Sequence, residues 1–227
     1  MTTSNVVFLF DVDNTLLDND RVTADLKRYL ESEVGSERQQ RYFALFEELR
    51  TDLGYADYLG ALQRYRLEYP RDPHLLTVSH FLAYYPFGNR LFPNAIDAVR
   101  HVKQWGDAVV LSDGDVVFQP LKIERSGIGA SVDGNVLIYV HKEGELDDVE
   151  QRHPADHYVM IDDKLRILTE IKKIWGARVT TVFVRQGHYA HDPQVVSSFP
   201  PADVAIECIG DLLNQDLPSL LAAKRAA

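Results

Sequence analysis

Apolar residues in this chain fall in short, nearly unbroken runs, separated by stretches in which they recur every three or four positions. The runs are Val6–Phe10, Ala108–Leu111, Val136–Val140, His157–Ile161, Val179–Val184 and Val204–Ile206. Their length is that of a strand, and several are apolar at nearly every position, as a strand buried on both faces must be. Between them lie helical patterns. Asn94–Trp105 sets Ile96, Val99 and Val102 at three-residue spacing. Lys164–Trp175 sets Leu165, Leu168, Ile171 and Trp175 on one stripe and stops at Gly176. Strands alternating with helices predict an α/β fold: a mostly parallel sheet covered on both faces, its ligand site beyond the carboxyl ends of the strands.

One region breaks the alternation. From Asp18 to Arg90 only helical stretches can be read, at Ala24–Glu33, Arg38–Leu49 and Asp57–Leu67, with tyrosine and arginine dense among them. The expected organisation is therefore an α/β core made of residues 1–17 and 91–227, interrupted by a smaller helical insert, 18–90. Its exits fall in turn-rich sequence near Asn19 and at Pro86–Pro93. The end of the chain, Ala222–Ala227, is expected to fray.

Composition narrows the class without naming the chemistry. The chain has 227 residues, 45% hydrophobic and 26% charged, which fits an ordinary globular protein with a full core. A net charge of −10 opposes a nucleic-acid footprint but leaves room for a small anionic substrate at a locally basic site. The single cysteine, Cys208, excludes an intrachain disulfide, and its apolar neighbours Val204, Ala205, Ile206 and Ile209 predict a buried, inert thiol. Met1–Asn5 carries no basic region, and the apolar run after it ends at Asp11, too short for a leader or a membrane span. A cytoplasmic location with no membrane partner is the expectation. The oligomeric state is left open.

The strand ends carry the chemistry. After the first strand comes Asp11-Val12-Asp13-Asn14-Thr15, after the second Ser112-Asp113-Gly114, after the third Lys142, and after the fourth Asp162-Asp163. Carboxylates, a hydroxyl and an ammonium would thus share one sheet edge, a set that suits phosphoryl transfer. A carboxylate can attack phosphorus, and charge developing on the equatorial oxygens calls for a cation and hydrogen-bond donors. Clustered carboxylates repel one another and a phosphate until a hard cation joins them, and Mg²⁺ takes one or two carboxylates with waters and phosphate oxygens.

These four stations, in this order, resemble the haloacid dehalogenase superfamily. The matching segments are Phe8-Leu9-Phe10-Asp11-Val12-Asp13-Asn14-Thr15-Leu16, Val109-Val110-Leu111-Ser112, Lys142, and Tyr158-Val159-Met160-Ile161-Asp162-Asp163, with Leu91-Phe92-Pro93 where a helical cap returns to the core. The resemblance implies a three-layer Rossmann-like core with a helical cap after the first strand. It implies Asp11 as nucleophile and Asp13 as general acid/base whose carbonyl also reaches the metal. Ser112, Asp113 and Lys142 would hold the phosphoryl oxygens, and Thr15 would tie the loop and orient Asp13. Mg²⁺ would be held by Asp11, Asp13, Asp162 and Asp163, Asp163 being the better placed for direct contact. Two departures stand out: Glu143 follows Lys142 where proline is common, and no Asp lies four residues beyond the acidic pair.

Plainer readings compete at several positions. Asp113 and Asp115 also suit a turn and a helix cap, and Asp162-Asp163 could cap the helix that follows. Lys122, in a helix over Val117–Arg125, rivals Lys142, although Lys142 has the strand-end position. His188 and His191 read as solvated loop residues, Asp133-Gly134 as a tight turn, and the insert's arginines as mostly solvated. The expected function is a phosphatase acting on a small phosphorylated metabolite. A dehalogenase, a phosphomutase and a non-catalytic binding protein are the alternatives. Asp13 favours phosphate over halide, because a halide leaves without needing a proton.

Overall fold

The computed structural model describes residues 5–217; most of Met1–Asn5 and all of Ala222–Ala227 lie outside the described residues. Six strands form one sheet: β1 (Val6–Phe10), β2 (Asp107–Asp113), β3 (Val136–Tyr139), β4 (His157–Asp162), β5 (Val179–Val184) and β6 (Val204–Ile206). Their order is β3-β2-β1-β4-β5-β6, and every neighbouring pair is parallel. The chain builds outward from β1 in one direction as far as β3, then crosses back to the other side of β1 for β4. The order therefore reverses between β1 and β4, the place where open α/β sheets bind ligands beyond the carboxyl ends of their strands.

The runs of apolar residues become strands because both faces of the sheet are covered. Val6, Phe8 and Phe10 point to one core, with Val110, Ile161 and Val182, and Val7 and Leu9 point to the other, with Leu111, Met160 and Phe183. That is the two-residue alternation of a pleated strand, with both outcomes apolar. Helices α1 (Asn19–Val34), α2 (Ser36–Leu53), α3 (Tyr58–Glu68) and α4 (Leu75–Tyr84) form the insert. Asp18 starts α1 by accepting from the Arg21 N–H, and Asp57 starts α3 by accepting from Gly60. Then come α5 (Ala95–Val102), α6 (Phe118–Ser126), α7 (Ile128–Ser131), α8 (Leu146–Arg152), α9 (Leu165–Trp175) and α10 (Gly187–His191).

The insert is joined to the sheet at two adjacent points. Leu17 bridges Leu91 antiparallel, and the Asp18 N–H donates to Arg90 O at 2.7 Å. Its interior is continuous with one sheet core through aromatic rings: Tyr58 packs on Phe46 at 4.6 Å and on Phe118 of α6 at 5.3 Å, and Phe87 meets Phe118 at 5.6 Å. At the predicted tight turn, Asp133 and Gly134 both take positive φ, 55° and 80°. Cys208 corrects the sequence expectation. β6 is a three-residue edge strand that ends at Ile206, so Cys208 lies past it, exposed, with its Sγ 3.3 Å from Asp211 Oδ1.

Candidate active site

Parallel register places the four stations side by side. Phe10 pairs with Val110 on β2 and with Ile161 on β4, so the chain leaving β1 runs between Leu111-Ser112 and Asp162-Asp163. The Asp11 N–H continues the ladder to Ile161 O at 3.0 Å before the chain turns away. Asn14 takes positive φ in that turn, and Gly187, at φ 70°, packs so closely on Asn14 that any Cβ would collide with it.

Asp11 is buried and held on both oxygens. Lys142 Nζ lies 2.5 Å from Oδ1, and the Thr15 hydroxyl donates to Oδ2 at 3.2 Å. Thr15 thus reaches Asp11 itself, where the sequence had assigned it to Asp13. Lys142, itself buried, also lies 2.7 Å from Asp162 Oδ2 and donates to Leu111 O. Burial alone would pull its ammonium down, but Asp11, Asp162 and Asp113 together push it above the ordinary lysine range. The Asp113 carboxylate accepts from the Lys142 N–H at 2.8 Å, which fixes the loop that carries the lysine. Burial raises the Asp113 pKa. Ser112, fully buried, accepts from Gln119 Nε2 at 2.9 Å. Asp115 accepts from the N–H groups of Val117 and Phe118, the capping role the sequence allowed.

Across the sheet edge, Asp162 Oδ1 accepts from the Lys164 N–H at 2.8 Å, closing the turn that leads into α9. Asp163 is fully buried, and neither of its carboxylate oxygens has a hydrogen-bond partner among the described residues. Asp11, Asp162 and Asp163 offer oxygens within 4.8 Å of one another. Burial, helped by the neighbouring aspartates and opposed by Lys142 and Lys164, lifts Asp162 to about 6 and Asp163 well above the ordinary carboxylate value. A buried carboxylate with no donor is costly, and three carboxylates converging on one point fit a hard divalent cation. Lys164, which the sequence reading passed over, brings its ammonium to the same cluster. Asp163, Asp11 and Asp162 outweigh burial and raise its pKa.

The opposite wall comes from the insert and α6. Lys122 is buried beside Asp13, 2.6 and 2.9 Å from its two oxygens, and 3.2 Å from Asn19 Oδ1. Lys122 and Lys142 are therefore not rivals: each lysine holds a different aspartate. The buried Tyr58 hydroxyl lies 2.8 Å from Thr23 Oγ1. Arg50 of α2 hydrogen-bonds the Tyr189 hydroxyl of α10, and its guanidinium stands 5.9 Å from the ring, whereas Lys164 Nζ is 5.5 Å from that ring. His188 is exposed, as expected, and is tied to the insert: its N–H and ring nitrogen contact Asp20 at 2.8 and 2.7 Å.

The profile of the haloacid dehalogenase-like hydrolases matches residues 6–173. The chain belongs to that family of hydrolases. A protein of Burkholderia xenovorans LB400 assigned as a haloacid dehalogenase-like hydrolase is 61% identical, with a TM-score of 0.90 over 96% of this chain and 99% of the other. HAD-hydrolase YfnB of Bacillus subtilis, solved bound to magnesium, has the same fold at 17% identity, with a TM-score of 0.60 over 93% and 100% of the two chains. So does the L-2-haloacid dehalogenase of Xanthobacter autotrophicus with chloropropionic acid covalently bound, at 17% identity and a TM-score of 0.59 over 92% and 96%. No curated protein matches the chain. Among the described residues, no helix is long and apolar enough to cross a membrane.

Proposed function

We propose that this HAD-like hydrolase is a Mg²⁺-dependent phosphatase acting on a small phosphorylated metabolite. The observation that carries the reading is the convergence of Asp11, Asp162 and Asp163 with the Asp163 oxygens left without donors. Displacing a halide from carbon needs no divalent cation, whereas a phosphoryl group needs its charge offset. Asp13 supports the same choice, since an alkoxide leaving group needs a proton and a halide does not.

In this reading Asp11 attacks phosphorus through a carboxylate oxygen, and the bond from phosphorus to the leaving oxygen breaks. Asp13 gives its proton to that oxygen. Water then attacks the aspartyl-phosphate, Asp13 takes a proton from it, and the bond to Asp11 breaks to release inorganic phosphate. Lys142 and Thr15 hold Asp11 in aim, and the Ser112 hydroxyl and Lys142 face the phosphoryl oxygens. Mg²⁺, when bound, would offset charge on the phosphoryl group and its attacker. Asp163 and Asp11 would hold it through carboxylate oxygens and Asp13 through its carbonyl. Asp162, though also engaged by Lys142 and the Lys164 N–H, stands in the same cluster and would complete the carboxylate set. Residues 18–90 act as a cap that shelters the site and selects the leaving group.

The test is a panel of phosphorylated metabolites and of 2-haloacids, each assayed with Mg²⁺ and with EDTA. Phosphate release that disappears in EDTA and returns with Mg²⁺ is expected. Halide release without phosphate release would replace this reading with a dehalogenase.

A further inference from the structure

We propose that Lys122 is a positioning residue for Asp13: it turns the acid/base carboxylate toward the insert, where the leaving group departs, and away from the nucleophile. The proposal rests on the phosphatase reading above.

Asp11 and Asp13 stand two residues apart at the end of one strand, and each is held by a lysine from a different element. Lys142, beyond β3, takes Asp11. Lys122, on α6, takes both oxygens of Asp13, which fixes the carboxylate plane as well as its direction. Asp13 keeps 24% of its side chain exposed against 5% for Asp11, so it borders the open side of the site. The contacts beyond Lys122 lead the same way. Its third partner is Asn19, the first residue of α1, whose carbonyl accepts from the Thr23 hydroxyl, and Thr23 in turn meets the Tyr58 hydroxyl. The acid/base group is thereby tied to the insert, on the side of the site opposite the acidic cluster.

Packing alone does not call for a lysine here, since an apolar pair of similar volume could replace both side chains, whereas removing Lys122 alone leaves the partly buried Asp13 carboxylate without its partner. What an apolar residue cannot do is set the direction of a neighbouring carboxylate. Without Lys122 no ammonium holds the plane of Asp13, since the Lys142 ammonium is already engaged by Asp11, Asp162 and Leu111 O. A carboxylate free to rotate spends less of its time aimed at the leaving oxygen.

The experiment compares wild type, Lys122→Met and Lys122→Arg, reading kcat/KM because it reports the step that forms the aspartyl-phosphate. The substrates are p-nitrophenyl phosphate, whose leaving group needs little protonation, and an alkyl phosphate, whose leaving group needs it fully. Lys122→Met is expected to lose about 10-fold or more on the alkyl ester, a share of the roughly 10²–10⁴-fold that general acid–base help supplies. The loss on p-nitrophenyl phosphate should be no more than about a third of that share, and Lys122→Arg should recover part of the alkyl activity. Equal losses on both esters, or none on either, overturn the proposal. Lys122→Gln replaces the methionine variant if circular dichroism shows that one unfolded. A wild-type enzyme that hydrolyses neither ester but releases halide from 2-haloacids defeats the phosphatase reading itself, an outcome distinct from an unchanged ratio in the variants.

Discussion

Lys142 Nζ lies 2.5 Å from Asp11 Oδ1, so the lysine beyond the third strand holds the carboxylate that ends the first. The strands that deliver them are not neighbours: β2 lies between β1 and β3. The contact spans 131 residues of sequence. Because the same ammonium reaches Asp162, removing it would leave two buried carboxylates facing each other. Lys142→Met is expected to cost roughly 3–5 kcal/mol of stability, the usual penalty for breaking a buried pair. Urea titration with and without Mg²⁺ would measure it, and the metal should return part of the loss. A variant as stable as wild type in EDTA would contradict the pairing.

Asp11→Asn keeps the shape and the Thr15 contact but removes the attacking carboxylate. Turnover is expected to fall by about 10⁴-fold or more, as when a nucleophile is lost from an enzyme that keeps its other groups. The thermal transition should change little. Near wild-type turnover in a preparation checked by mass spectrometry would end the nucleophile assignment.

The acidic cluster makes a pH-dependent forecast. Asp162 and Asp163 carry raised pKa values in the folded, metal-free protein, Asp162 at about 6. Carboxylates with folded values above their unfolded ones favour the fold at low pH and lose that contribution as pH rises through the folded value. Protons and Mg²⁺ thus compete for the same oxygens. At pH 8, Mg²⁺ at about a hundredfold excess over its dissociation constant should raise Tm by about 5–10 °C. At pH 5 the gain should be much smaller. An equal gain at both values, by differential scanning fluorimetry, would rule out these carboxylates as the metal's ligands.

Gly187 tests how the loop after β5 supports the turn after β1. Its φ of 70° and its contact with Asn14 leave no room for a side chain. Gly187→Ala should destabilise the protein by about 1–3 kcal/mol and lower activity through the displaced Asp13 turn. Gly134→Ala, at φ 80° but with nothing near the added methyl group, should cost stability alone.

What the sequence made legible follows from how locally each feature is encoded. Strand cores such as Val179–Val184 could be read because burial on both faces demands apolar residues throughout. Asp11, Ser112, Lys142 and Asp162 could be read because a strand's end fixes where the next residue sits. Lys122 was harder, since it reaches the site sideways from a helix and its partner is 109 residues away. Arg50 and Tyr189 meet across 139 residues, and no local pattern distinguishes that arginine from solvated neighbours such as Arg64. Lys164 could have been suspected: an ammonium directly after two aspartates, at a predicted strand end, is a cation delivered to an acidic cluster. Cys208 was misread because apolar neighbours were taken as a sign of burial, whereas the strand ends two residues before it, at Ile206, and leaves it exposed.

The two places where the chain enters and leaves the insert lie side by side, bonded Leu17 to Leu91 and Asp18 to Arg90. Because the chain leaves and rejoins the core at one place, what hangs between the two points can differ in length or shape without moving β1 or the turn that carries Asp13. The strand ends and whatever stands over them are thereby free to change separately.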